Sequence, residues 1–518
     1  MIPVLGARAM RAADADAIRE GTPSEVLMEN AASALARELQ RAFPGWTRVV
    51  VVCGPGNNGG DGLAAARLLA FAGVAPSVFT LGDPAAYTGG AAVNAARARA
   101  LGLTLRCLGE AGELGRFRRA LRECDGIVDA LFGTGLARAL TGGARRAVAA
   151  INAAGRPVIC ADIPSGLSAD RGTLLGPAVR AAVTVAFAAP KPCHILPPSS
   201  GLCGRVVVAD IGIARRILAR RAGRLWLAEA EDVRALLPPR PLDSHKADFG
   251  RLAVVAGSRG KGGAAILAAR GALRGGAGLV TVFCPESLEP CVVAALPEAM
   301  TSALPESHGA LPERAAREGI RALRGFDAVV AGPGLSTAAE TVRFLEALVA
   351  GTRLPLVADA DALNAFAGRP QFFARRLGPV VLTPHPGEAG RLLGITSAAV
   401  QADRPGAARA LARKSRAVCV LKGAHTLIAM PSGEVIANPT GTPLLSTAGS
   451  GDVLAGLIGA LLAGGLAARD AAVAGAWLHG AAAEALAPRL GDAGLLAHEA
   501  ADAIPEARRR LREAAAAS

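Results

Sequence analysis

Short, unbroken runs of apolar β-branched residues recur along almost the whole chain, separated by stretches rich in Ala, Leu and Arg. Arg48-Val-Val-Val-Val-Cys53, Gly126-Ile-Val-Asp129, Pro157-Val-Ile-Cys160, Ala182-Val-Thr-Val-Ala186 and Arg205-Val-Val-Val-Ala209 are such runs. Arg251-Leu-Ala-Val-Val255, Ala328-Val-Val330, Leu354-Pro-Leu-Val357, Val380-Val-Leu382 and Val418-Cys-Val-Leu421 continue the series. A strand with one face in water alternates apolar and polar residues; these do not, so both faces must be covered. A parallel sheet between two layers of helices meets that requirement, which makes the fold class α/β. A chain of 518 residues holds two such domains rather than one. Between Ile213 and His245 the strand pattern stops and gives way to charged helical residues and Pro238-Pro-Arg-Pro241. We therefore expect domains over residues 1–213 and 241–515, joined by a linker over 214–240. The halves share no motif, so they are two different domains fused, not a duplication.

Composition narrows the partners. Lys and Arg number 57 against 43 Asp and Glu, a formal net charge of +14 that would suit nucleic acid. Against this stand an aromatic content of 3% and a single Tyr, too few for base-stacking platforms. Much of the Arg falls in helical segments such as Arg116-Phe-Arg-Arg119 and Arg508-Arg-Arg510, which read as solvated faces. The nine cysteines include no Cys-x-x-Cys pair, so neither a disulfide framework nor a zinc site is expected. The apolar stretch from Val453 to Ala468 is shorter than the roughly 20 residues a membrane span needs, and reads as a core helix. A soluble cytoplasmic protein is expected, with small-molecule partners and no nucleic acid or membrane. A homo-oligomer is the expected assembly.

Val52-Cys-Gly-Pro-Gly-Asn-Asn-Gly-Gly-Asp-Gly62 follows a strand and opens a helix. Gly54, Gly56 and Gly59 match G-x-G-x-x-G, and Asp83 follows the next strand, as in a dinucleotide-binding turn. Asp61, expected to cap the helix, would oppose a closely held pyrophosphate, whereas Asn57 and Asn58 suit a cation together with ribose or phosphate oxygens. A plain Gly-rich turn with an Asp cap would need fewer such residues. Asp129 and Asp162 end later strands, where ligands of open α/β sheets collect, although each could be a turn cap. Asn58, Asp129 and Ser165 would supply hard oxygens with one carboxylate, which suits a monovalent cation. Lys191, in Pro190-Lys-Pro192, could meet an anionic ligand.

These residues, with Leu27-Met-Glu-Asn-Ala31, Asp129-Ala-Leu-Phe-Gly-Thr-Gly135 and Asp162-Ile-Pro-Ser-Gly166, resemble the NAD(P)H-hydrate epimerase domain over nearly all of residues 1–213. The resemblance implies a Rossmann-like fold and a potassium ion on Asn58, Asp129 and Ser165. It also implies hydrated nicotinamide nucleotide on Asn57, Asn58, Gly59, Gly60 and Asp61, on Gly133, Thr134, Gly135, Leu136, Ala137, Arg138 and Ala139, and on Asp162. Asp162 is the expected proton-transfer group. Cys193 stands where the family usually has Gly.

Near the carboxyl terminus, Ser446-Thr-Ala-Gly-Ser-Gly-Asp-Val-Leu454 opens the apolar helix. Gly449, Ser450 and Gly451 are expected to free backbone N–H groups for an anion, with Asp452 beside them to take a proton from a substrate hydroxyl. The bland alternative is that Asp452 only caps the helix. Lys422-Gly-Ala-His-Thr426 and Pro384-His-Pro-Gly-Glu388 follow strands; Lys422 suits a phosphate, and His385 is either a substrate contact or a turn stabiliser. Asp359 and Asp361 could orient substrate or hydrated Mg²⁺. Gly257-Ser-Arg-Gly-Lys-Gly-Gly263 lacks the spacing and the Ser/Thr of a phosphate-binding P-loop. With His245-Lys246 and Gly332-Pro-Gly334, these motifs resemble the ribokinase-like NAD(P)H-hydrate dehydratase domain over about residues 225–510. The resemblance implies hydrated nucleotide on Ala264, Gly334, His385 and Asp452, and ADP on Lys422, Gly423, Ala424, His425, Thr426 and Gly451. His425 replaces the Gly more usual in that loop, and Ala247 the Gly usual after His-Lys.

Both halves thus point to NADH and NADPH that have gained water at C6 of the nicotinamide ring. The first would interconvert the R and S epimers, and the second would dehydrate the S form with ADP, leaving AMP and phosphate. The rival reading is a ribokinase-like kinase of a small alcohol fused to a non-catalytic binding or scaffold module.

Overall fold

The strands of the first half are Arg48–Cys53 (β1), Ala75–Thr80 (β2), Leu105–Cys107 (β3), Gly126–Ala130 (β4), Val158–Ala161 (β5), Val183–Phe187 (β6) and Arg205–Ala209 (β7). They form one sheet in the order β3-β2-β1-β4-β5-β6-β7, and every neighbouring pair is parallel. Val49, Val51 and Cys53 pack into one apolar cluster with Leu35 and Leu63, while Val50 and Val52 pack into another with Phe117 and Val148. Covered on both faces, β1 has no use for polar residues, which is why its sequence does not alternate.

In the second half the strands are Arg251–Val255 (β8), Leu279–Pro285 (β9), Met300–Leu304 (β10), Ala328–Ala331 (β11), Leu356–Ala358 (β12), Val380–Leu382 (β13), Val418–Leu421 (β14), Leu427–Ala429 (β15) and Val435–Ala437 (β16). Their order is β16-β15-β14-β13-β12-β11-β8-β9-β10. From β14 to β10 all pairs are parallel, as expected. The β14–β15 and β15–β16 pairs are antiparallel instead, because the short loops 422–426 and 430–434 cannot cross over the sheet.

The computed structural model describes residues 1–513, so positions 514 and 515 of the expected second domain lie outside the described residues. The chain divides into two compact units between Leu225 and Trp226. The segment 214–240 holds helices Arg215–Arg220 and Ala230–Leu236 and a strand Leu225–Leu227, too short to stand out in the sequence. Among the described residues no helix is long and apolar enough to cross a membrane, and all nine cysteines are free. Arg116, Arg118 and Arg119 are exposed, whereas Arg508 is half-buried beside Arg240 and Arg512, and burial pushes it down to about 10.

Six helices matter for the sites: Ala7–Arg19 (α1), Ser24–Ala42 (α2), Asn57–Phe71 (α3), Gly262–Gly275 (α4), Pro386–Leu393 (α5) and Ser450–Ala463 (α6). Every residue of α6 from Val453 to Ala463 is buried. Its backbone lies directly on that of α4: a Cβ on Gly456 would stand 1.8 Å from the Ala268 carbonyl oxygen, and one on Gly271 2.4 Å from that of Val453. Backbone cannot yield as a flexible side chain does. Gly456→Ala is therefore expected to cost ~1–3 kcal/mol through forced separation of the helices, read as a lower urea midpoint for the second unit.

Candidate functional site

The strand order of the first unit reverses at β1, between β2 and β4, and ligands of open sheets collect at the carboxyl end of such a reversal. The loops leaving β1 and β4 meet there so closely that a Cβ on Gly54 would stand 1.9 Å from the Leu131 carbonyl oxygen. Gly56 is the N-cap of α3, and no side chain caps the helix. Asp61 therefore does not cap it, contrary to expectation; it sits one turn further in, because the helix already begins at Asn57.

A cleft of about 460 Å³ covers this edge. Asn57, Asn58 and Asp61 line it, as do Gly133, Thr134, Gly135, Leu136 and Asp162, together with Lys191 and with Met10, Asp14, Leu27 and Met28 from α1 and α2. Gly59 and Gly60 pack behind it, against Gly54 and Met28, and Ala137, Arg138 and Ala139 are exposed outside the lining. Asp162 follows β5 in the left-handed region, with φ of 62°. Its Oδ1 accepts from Lys191 Nζ and, at 3.2 Å, from the Phe187 N–H. Lys191 is fully buried and also donates to the Phe187 carbonyl at 2.8 Å. It is thus the partner of Asp162 rather than a free contact for an anion. Cys193 is buried in the short helix Pro192–Ile195, where a side chain is accommodated without left-handed backbone.

Asp129 and Ser165 lie buried and are not in the cleft lining. Asp129 Oδ1 accepts from the Ser165 hydroxyl at 2.7 Å and the Leu131 N–H at 3.2 Å, and Oδ2 from the Ser165 N–H at 2.8 Å. Burial pushes the Asp129 carboxyl up, and these donors oppose the rise. Two further carboxyls face the cleft. Burial pushes Asp61 well up, with Asp162 and Asp14 adding to it. Burial pushes Asp14 up to about 6, a rise that Lys191 lessens and Asp162 increases.

In the second unit the order reverses at β8, and again the flanking loops touch: the Gly257 N–H donates to the Pro333 carbonyl at 2.8 Å, and the Ser258 hydroxyl to that of Gly334 at 2.7 Å. Gly334, at φ of 63°, lies against Ala264 and Lys261, so the expected substrate residues Ala264 and Gly334 come together. Lys261 is paired with Asp361 at 3.0 Å. A cleft of about 410 Å³ opens beyond β14. Lys422, Gly423, Ala424, His425, Thr426 and Gly451 all line it, with Asn438, Thr440 and His479. His425 has φ of 47°, a backbone region that explains why Gly is the commoner residue there.

Asp452 and Lys422 belong to one charge cluster. Lys422 Nζ donates to buried Asp359 Oδ1 at 2.8 Å, which Thr383 also reaches, and lies 4.0 Å from Glu388. Burial alone would lower Lys422, but Asp359 and Glu388 outweigh it and raise the group. Gly449 is the N-cap of α6 without side-chain help, so Asp452 is not a cap. The Ser450 N–H points to the Thr447 carbonyl at 3.4 Å, and the first intrahelical bond runs from Val453 to Gly449. Among the described residues the N–H groups of Gly449, Gly451 and Asp452 have no acceptor, so Gly449 and Gly451 of the expected set are free, Ser450 is engaged, and Asp452 adds a further donor. Burial, with Asp359 next, pushes Asp452 up to about 7; burial likewise pushes Glu388 up to about 7. His385 caps α5: its Nδ1 accepts from the Gly387 N–H at 3.0 Å, and its own N–H donates to Glu388 at 2.8 Å. This cap fixes the turn without excluding contact with a substrate, since the ring is half exposed, and His385 Nε2 lies 3.5 Å from Glu388 Oε1. Asp14 and Glu388 were missed in the sequence; only the His-x-x-Glu spacing of a reciprocal cap could have signalled Glu388.

The family model described as NAD(P)H-hydrate dehydratase matches residues 252–506, and the one described as YjeF-related protein N-terminus matches 24–193. The bifunctional NAD(P)H-hydrate repair enzyme of Moorella thermoacetica is 42% identical over 495 residues, 95% of this chain and 93% of that one. The Escherichia coli enzyme of the same description is 36% identical over 479 residues, 91% and 87% of the two chains. Among solved structures, ADP/ATP-dependent NAD(P)H-hydrate dehydratase from Bacillus subtilis, co-crystallised with ATP and Mg²⁺, is 34% identical. Its TM-score is 0.50, with 56% of this chain and 100% of that one covered.

The Lys191–Asp162 pair makes a direct stability test. Lys191→Met leaves a carboxylate in a buried site without its cation, which should destabilise the first unit by about 3–5 kcal/mol, measured by chemical denaturation.

Proposed function

The chain belongs to the family of bifunctional NAD(P)H-hydrate repair enzymes, and on that premise we propose that each of its two clefts carries one of the two activities. The first cleft interconverts R and S epimers of NADH and NADPH hydrate, with Asp162 as a proton-transfer group. The second dehydrates the S epimer with ADP, leaving AMP and phosphate. The observation that carries this reading is Asp452: an uncapped carboxyl in the first turn of α6, beside free backbone N–H groups and Lys422.

Asp452 takes the proton of the C6 hydroxyl while that oxygen bonds to the β-phosphorus of ADP and the bond to AMP breaks. The N–H groups of Gly451 and Asp452 stabilise charge on the transferring phosphoryl group. The C6–O bond then breaks with departure of phosphate, a far better leaving group than hydroxide, and loss of a C5 proton restores the dihydropyridine. Lys422–Thr426 and Gly451 hold the adenine nucleotide; Ala264, Gly334 and His385 hold the hydrated ring. Asp359 Oδ2, the oxygen not used by Lys422 or Thr383, lies 3.9 Å from the Cβ position of Gly451. It fits a water of Mg²⁺ carried in on the phosphates, an ion that would neutralise phosphoryl charge.

In the first cleft, the potassium ion would be held by Asn58, Asp129 and Ser165. The donor chemistry fits: a single carboxylate with neutral oxygens, the Ser165 hydroxyl 2.7 Å from Asp129 Oδ1, and an Asn58 amide whose Nδ2 is buried without a hydrogen-bond partner. The ion would offset ligand negative charge there. Asn57, Asp61 and the Gly133–Leu136 loop bind the nucleotide around it.

Incubation of hydrated NADH with ADP should restore absorbance at 340 nm; a stable phosphorylated small alcohol with no NADH recovery would overturn this reading. Because Asp452 acts as a base, it must be ionised. Its raised position means that recovery falls as pH drops through about 7, and Asp452→Asn should abolish recovery at any pH.

A further inference from the structure

Inversion at C6 places a demand on the first cleft that one carboxyl cannot meet. C6 bears the hydroxyl and is bonded to ring N1. The hydroxyl can leave as water while the N1 lone pair forms a C6=N1 double bond, and water can then add to the other face as that bond closes. The departing oxygen must gain a proton on one face of the ring, and the entering water must lose one on the other. Two proton-transfer groups on different walls are required.

Three carboxyls line the cleft: Asp14, Asp61 and Asp162. Asp162 stands at the sheet edge, tied to Lys191. Asp61 is buried within α3 on the same side as the Gly-rich turn. Asp14 comes from a different wall, carried by α1 with Met10 and Ile18, and among the described residues it has no hydrogen-bond or ion-pair partner of its own. A half-buried carboxyl left without a partner in a ligand cleft is not explained by stability, since burying it costs free energy that nothing local repays.

We propose that Asp14 is the second proton-transfer residue of the epimerisation, working from the helical wall while Asp162 works from the sheet edge. This rests on the assignment of the first cleft as the epimerase site. In the R-to-S direction the Asp14 carboxyl gives its proton to the leaving hydroxyl, the C6–O bond breaks, and water departs. A second water adds to the opposite face and gives its proton to the Asp162 carboxylate. The two carboxyls have then exchanged protonation states, as the reverse reaction requires, and cleft water resets them. No oxidant or other co-reactant is consumed. Asp14 fits the acid role because burial holds it up at about 6. The charged groups sharing the cleft with it are Arg11, Asp61, Asp162 and Lys191.

The test uses the full chain, R-NADH hydrate and ¹⁸O-labelled water, without nucleotide so that no dehydration occurs. Each enzymatic inversion should place one labelled oxygen at C6, above the rate without enzyme. Asp14→Asn should slow inversion by about 100-fold or more while binding R-NADH hydrate as the parent does, and Asp14→Glu should restore part of the rate. In the parent, kcat/KM should fall as pH rises through about 6, and this limb should be missing from Asp14→Asn. Inversion within threefold of the parent in Asp14→Asn, or product without label, would overturn the proposal. If Asp162→Ala abolishes inversion and Asp14→Asn does not, only the role of Asp14 fails. If neither variant changes it, the assignment of the cleft itself fails.

Discussion

The central strands of both sheets are closed to water on their two faces, and this confines polar chemistry to their carboxyl edges. The consequence is visible in β1 and β4, whose residues are buried throughout save Arg48, and in α6, buried without a break from Val453 to Ala463. Groups that must carry charge are left only the turns where a strand ends. In the first unit the order of strands reverses at β1, so two such turns diverge and a cleft opens between them; in the second the reversal at β8 brings Ala264 and Gly334 together, while the cleft opens beyond β14. The position of the first cleft therefore follows from connectivity, and the chemistry of both from the few residues placed at the turns.

The units handle charge at this edge in similar ways. Each sets one lysine against an aspartate that ends a strand: Lys191 on Asp162 and Lys422 on Asp359. Such pairs gain little net stability over apolar packing, because both ions lose water, but they hold charge at a fixed place in a poorly solvated site. Around each pair stand carboxyls that have no cation of their own, Asp14 and Asp61 in the first unit, Glu388 and Asp452 in the second, and burial raises all four. Proton transfer near neutral pH requires groups raised in this way. The excess of 14 positive charges plays little part in this; most Arg side chains lie on helix surfaces.

Legibility in the sequence followed physical cause. The α/β class, the Gly-rich turn, Asp162 and Asp452 could be read because each is local: an apolar run, a turn that tolerates no side chain, an acid after a strand. The three-residue strand Leu105–Cys107 was too short to register. The antiparallel hairpin of β14–β16 depended on loop length rather than on composition. Asp61 was read as a cap because the start of a helix within a run of glycines is not marked by residue type. Lys191 and Asp14 were hardest, since their roles come from what the fold brings to them across 29 residues to Asp162 and from α1 to the sheet edge. Ala137–Ala139 continue the motif past Leu136 and stand exposed outside the cleft lining.

The contact between α4 and α6 has a kinetic side. Ala264 lies at the start of α4 and Gly451 at the start of α6, and Gly271 and Gly456 lock the two helices together through main-chain atoms that cannot repack. Under the function proposed above, the pair is a fixed calliper whose tips would hold the hydrated ring and the phosphoryl group. Neither reactant then has to wait for the protein to close the gap between them. The effective concentration of one reactant at the other is set when the chain folds, not each time substrate binds.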